Sequence, residues 1–163
     1  MNDVRRLNEL RREARASYYC CRRQVALVTE PLLRAALERG AFARWRLARS
    51  IDTYLVAQPA EGRSRLEPTL GDFAQCLVLR ARTALSNDPD LHGLRWLADD
   101  SAQLRHSVEI SRGLTWSLHV SDFLSARLDE LKQVQRTVAA LEVAMPARSR
   151  THGAPEPQSL ATT

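Results

Sequence analysis

The chain reads as an all-α protein, an antiparallel bundle of four to five helices. Three observations predict this. Apolar residues recur at three- and four-residue spacing, no stretch alternates with a period of two, and Pro, Gly and Ser/Asn/Asp clusters interrupt the pattern at a few places only. With 163 residues, 44% of them hydrophobic and 26% charged, one domain with its own core is expected. It is placed at residues 1–145, followed by a disordered tail over 146–163 that is rich in Pro, Ser and Thr. If the interruptions only bend the helices, the competing architecture is an elongated, kinked helical hairpin with coiled-coil character. Its arms, residues 4–56 and 69–145, would be on the order of 80 and 115 Å long at 1.5 Å rise per residue.

The first helix is basic and amphipathic. Val4, Leu7, Ala14, Tyr18, Cys21, Val25 and Val28 share one face, while seven of the first 23 residues are arginine. Arg5, Arg12 and Arg23 fall opposite the apolar stripe, and Arg11, Arg15 and Arg22 border it. The stripe continues through Leu32 and Ala35, then shifts to Leu33, Leu37, Ala41, Trp45, Ala48, Ile51 and Leu55. A break is placed at Thr29-Glu30-Pro31, with Thr29 as cap and Pro31 in the first turn of the next helix.

Residues 58–68, with two prolines and a glycine, form the main connection. Leu70, Phe73, Leu77, Ala81 and Leu85 mark the buried face of a third helix, which stops at Ser86-Asn87-Asp88-Pro89. There Asp88 caps a fourth helix and Pro89 occupies its first position. Leu91, Leu94, Ala98, Leu104 and Val108 supply the fourth helix's core face, and Gly113 divides it from the last. Val120, Leu124, Leu131, Val134, Val138, Leu141 and Met145 then repeat at 3–4 spacing over about four heptads. Leu124, Leu131, Val134, Val138 and Leu141 form a helix-pairing face whose partner is expected within the same chain.

The net charge of +5 is uneven: residues 1–50 carry 12 Arg against 5 acids, and residues 51–100 carry 5 against 8. A basic N-terminal third and an acidic middle can pair internally, or attract phosphate or an acidic partner. The 23 arginines against a single lysine, Lys132, reflect GC-rich coding, which weakens any claim that each Arg was placed for binding. Arg5, Arg12, Arg15, Arg22 and Arg23 nevertheless form a candidate anion or acidic-partner face. The simpler reading of that face is solvated charge with Glu9 and Glu13 as local partners.

Other constellations have plain readings. Arg44-Trp45-Arg46 with Arg49 could stack a nucleic-acid base, but Trp45 lies on the apolar stripe and core packing is expected. Trp96 and Trp116 are read likewise, and no second aromatic is expected to complete a stacking platform. His106/Glu109 and His119/Asp122 repeat an i, i+3 spacing, yet on one helix they diverge, so no metal is expected. Asp99-Asp100 diverge too and have no fixed base nearby. Cys20, Cys21 and Cys76 match no zinc or disulfide pattern and are expected as reduced thiols of a cytoplasmic protein, Cys76 as a small buried hydrophobe.

The N-terminus lacks the apolar core of a secretory signal, and no segment approaches the roughly twenty apolar residues that span a bilayer. The expected function is a non-enzymatic helical adaptor, scaffold or assembly factor with no cofactor, contacting protein partners or a second copy of itself as a homo-oligomer. The alternative is a basic accessory protein that binds nucleic acid through the Arg-rich first helix.

Overall fold

The computed structural model describes residues 3–57, 70–113 and 118–151. Five helices follow in order: α1 (Asp3–Gln24), α2 (Pro31–Val56), α3 (Leu70–Ala84), α4 (Pro89–Gly113) and α5 (Leu118–Thr151). α1, α2, α5 and α4 surround a common core, and α3 lies outside them against α1 and α4. The elongated hairpin is therefore not formed: both hairpins, α1–α2 and α4–α5, pack on each other.

Named contacts fix the directions. Ser17 meets Arg44 while Arg11 and Arg15 meet Asp52, so α1 and α2 are antiparallel. Arg46 meets Glu130 and the Tyr54 ring approaches Phe123, so α5 runs against α2. Leu97 lies beside Gly40 and Asp100 beside Arg44, so α4 runs with α2 across the bundle. Leu7, Leu10, Leu33, Leu37, Leu47, Ile51, Leu94, Leu97, Leu124, Leu128 and Leu131 are all essentially withdrawn from solvent. Each such side chain contributes roughly 1.5–3 kcal/mol of burial. The whole helix-pairing face of α5, Leu124, Leu131, Val134, Val138 and Leu141, is spent inside this core.

The local signals act mostly where expected. Asp88 accepts from Leu91 N at 2.9 Å and Pro89 opens α4. At the α1–α2 turn, however, the cap of α2 is Glu30, whose carboxylate accepts from Leu32 N, with Pro31 next. Thr29 turns instead to α4, where its backbone N and hydroxyl each donate to Asp90 at 2.6 Å. The acid at the second residue of α4 outcompetes the role of Thr29 as cap because it satisfies two donors at once. Leu32 does not continue the first stripe and stands 49% exposed.

Two further expectations change. α5 continues past the expected boundary, through Pro146 to Thr151. Residues 152–163 and the connection at 58–68 lie outside the described residues, as does Trp116. α3 forms over nearly the expected span but is turned around: Phe73, Leu77, Ala81 and Leu85 are exposed, whereas Cys76 and Thr83 are buried. The reason is covalent, since Cys76 is bonded to Cys20 of α1 and that bond dictates which side of α3 faces the bundle.

Candidate functional site

The N-terminal arginines do not assemble into one free face. Arg5 and Arg6 pair with Glu9 one turn along, and Arg15 reaches Asp52 of α2 at 2.7 Å. Arg11, nearly buried, holds the other Asp52 oxygen at 3.0 Å. The internal pairing of basic N-terminus and acidic middle is thus realised in part, and Arg15 leaves the candidate anion face for that reason. Arg22 is exposed, and Arg12 and Arg23 are half-buried.

A second charge is taken fully inside. Arg44 is 0% exposed and its guanidinium forks onto Asp100, Nη2 at 2.6 Å and Nε at 3.0 Å to the same oxygen. Nη2 also donates to Ser101 Oγ at 3.0 Å and Nη1 to the Gly40 carbonyl at 2.9 Å, while Nε donates to Ser17 Oγ. Ser17 Oγ in turn donates to Asp100. Asp100 therefore has the fixed cationic partner that its sequence context did not show. This geometry holds the Ser17 hydroxyl rather than activating it, because a cation donates to its oxygen and the carboxylate is already compensated. The Arg44 pKa is raised above its ordinary value: burial opposes the charge, but attraction and hydrogen bonding from the Asp100 carboxylate favour it, so the guanidinium stays protonated.

Cys20 and Cys76 form a disulfide, contrary to the expectation of three reduced thiols. Cys76 is buried as expected, but as half of a bond. Cys21 is the free one: burial pushes its thiol up to about 12, against the lowering effect of Arg44. A thiol so protonated is a core residue and a poor nucleophile.

Between α1, α3 and α4 lies a groove of about 800 Å³, with Ser17, Cys20, Val78, Arg82, Trp96 and Asp100 among its walls. Trp96 is half-buried and packs on the core from this side. Beside the groove, α3 presents Phe73, Leu77 and Val78 to solvent, with Leu85 exposed just past its end and the Tyr19 ring of α1 5.9 Å from that of Phe73.

The outer face of α2 carries the other apolar feature. Trp45 is not in the core but 45% exposed, stacked on Phe42 at 5.7 Å and 20° between planes. Phe42 is 56% exposed and lies three residues earlier, the second aromatic that was not expected. Arg46 covers the Phe42 ring at 5.6 Å and pairs with Glu130 at 3.1 Å.

His106 is exposed and Glu109 pairs loosely with Arg105. His119 lies edge-on to the Phe123 ring and tilted to that of Tyr54, and Asp122 faces solvent. Among the described residues, no three His, Cys, Asp or Glu side chains converge as metal ligands, and no helix is long and apolar enough to cross a membrane. No family model, curated protein or solved structure matches the chain.

Proposed function

We propose that this chain is a non-enzymatic helical adaptor or assembly factor acting through protein–protein contacts of its amphipathic helices. The observation that carries the reading is α3. Joined to the bundle at Cys76 and Thr83, it turns Phe73, Leu77 and Val78 outward, and Leu85 just past its end is exposed beside them, where they contribute nothing to the core. Exposed apolar side chains at helical spacing beside a groove suit an amphipathic helix of a partner protein, whose own apolar stripe would be covered in return. A disulfide is a feature of oxidising compartments in mesophilic proteins, so the proposal drops the cytoplasmic location expected from three reduced thiols.

A photo-crosslinking residue in place of Leu77 tests it in the native host. A discrete adduct is expected, and the partner identified in it should bind the purified chain at least tenfold more weakly once Leu77 and Leu85 are changed to Asp. Full affinity in that variant would overturn the reading. Salt-dependent binding of a labelled oligonucleotide, weakened by changing Arg5, Arg12 and Arg23 to Gln, would favour the nucleic-acid alternative instead.

A further inference from the structure

We propose that the outer face of α2 is a homodimer surface, on which a second copy of this chain lays its own α2 antiparallel across a two-fold axis between Phe42 and Trp45. This face of α2 is separate from the exposed residues of α3.

The sequence of that face is self-complementary about its centre. Glu38 lies four residues before Phe42 and Arg49 four residues after Trp45; Pro31 lies eleven before Phe42 and Val56 eleven after Trp45. At 100° per residue these six positions fall within about 60° of arc, one narrow stripe along the whole of α2. All six are exposed, with Val56 at 67%.

A two-fold interface uses the same patch twice, so a residue on one side of the axis meets its mirror position on the partner. Two antiparallel copies of this stripe bring Phe42 against the partner's Trp45, Pro31 against the partner's Val56, and Glu38 against the partner's Arg49. Apolar meets apolar, and each acid meets a base. Among the described residues, neither Glu38 nor Arg49 makes an ion pair within its own chain, so both charges are available for this exchange. The aromatic pair sits at the centre, where buried aromatic anchors dominate interface energies, and the charges flank it. Glu38 also decides against a phosphate chain as occupant of this stripe, since an anion following the same line would run onto a carboxylate.

Charge reversal with rescue tests the proposal on the full chain, read by light scattering with chain association measured over a dilution series. Wild type should approach twice the monomer mass as concentration rises. Glu38→Arg places like charges opposite Arg49, and Arg49→Glu places like charges opposite Glu38, so each variant alone should dissociate at least tenfold more readily. Both positions are exposed, and circular dichroism should show helix content unchanged.

Two rescues follow from the geometry. The double variant, Glu38→Arg with Arg49→Glu, restores opposite charges and should dimerise like wild type. An equal mixture of the two single variants also pairs every charge with its opposite and should form a heterodimer. A wild type that stays monomeric at its highest soluble concentration would overturn the proposal. So would a dimer indifferent to both single changes, single-variant losses that neither rescue restores, or oligonucleotide binding that requires Trp45 and competes with self-association.

Discussion

Removing either partner of the Arg44–Asp100 pair should cost much of the stability, and by unequal amounts. Breaking a buried ion pair from one side costs about 3–5 kcal/mol, against about 5–15 kcal/mol for a whole domain. Arg44→Met strands Asp100, whose side chain is 22% exposed and can be partly rehydrated, which puts the loss near the lower end, about 3 kcal/mol. Asp100→Ala strands the guanidinium, which is 0% exposed and keeps only the neutral acceptors of Ser17, Ser101 and Gly40, which puts the loss near the upper end, about 5 kcal/mol. With a urea slope of about 2 kcal/mol per molar, the unfolding midpoints should fall by about 1.5 and 2.5 M. Replacing both together, Arg44→Met with Asp100→Leu, removes the uncompensated charge and should lose less than either single change. Midpoints that move by less than about 0.5 M, a reversed order, or additive losses in the double variant would refute the assignment of Arg44 as a buried, paired charge.

Three further outcomes follow from the thiols and Gly40. The folded Cys21 thiol stays protonated to about 12 against an ordinary 9.0, so its contribution to stability is complete below pH 9 and is lost above it, as the unfolded chain releases a proton that the folded chain keeps. The loss approaches about 1.4 kcal/mol per pH unit, and denaturant titrations from pH 8 to 11 should show a shallower decline in Cys21→Ala than in wild type. Thiol counting with an aromatic disulfide reagent should find none in the native protein, one after unfolding and three after unfolding with reduction; Cys76→Ala, which opens a loop of sequence separation 56, should lower stability by up to about 4 kcal/mol in the chain-entropy model. Gly40→Ala should fail to deliver the roughly 1 kcal/mol that alanine gains over glycine in an open helix. Its Cβ would meet Arg44 Nη1 at 3.0 Å, and that atom is pinned to the Gly40 carbonyl; thermal unfolding that shows the full gain would mean the guanidinium can shift.

How far the sequence can be read depends on the range of the force involved. Asp88-Pro89 opens α4, and the 3–4 spacing of α5 is buried from Val120 to Leu141 with Met145 partly so, because both signals act within one helix. α2 shows where such reasoning was misapplied. By the 100° rule Arg44 falls on the same side as Leu37, Ile51 and Leu55, at the middle of the buried face, while Trp45 is turned a further 100° outward. Residue type competes with geometry there: the aromatic Trp45 is expected in the core, whereas the buried position belongs to the charged Arg44. Phe42, three residues from Trp45, was the available signal for the stacked pair. The partners of Arg44 and the Cys20–Cys76 bond were out of reach for a different reason, since residues 56 positions apart meet only once the helices have chosen neighbours.

That choice of neighbours has a geometrical safeguard. A stripe of leucines repeating every turn tolerates displacement, because moving one helix along another by a turn exchanges one leucine for the next at small cost. The α4–α5 hairpin cannot slip along α1–α2 in this way. Ser17 and Arg44 belong to one hairpin and Asp100 and Ser101 to the other, and at the far end Asp90 grips Thr29 and the Glu30 backbone across the same seam. A one-turn offset would press the Arg44 cation against hydrocarbon and empty both oxygens of Asp90 together. Two polar fastenings about ten residues apart on α4 thus set a single register for a seam that its apolar residues alone would leave free to slide.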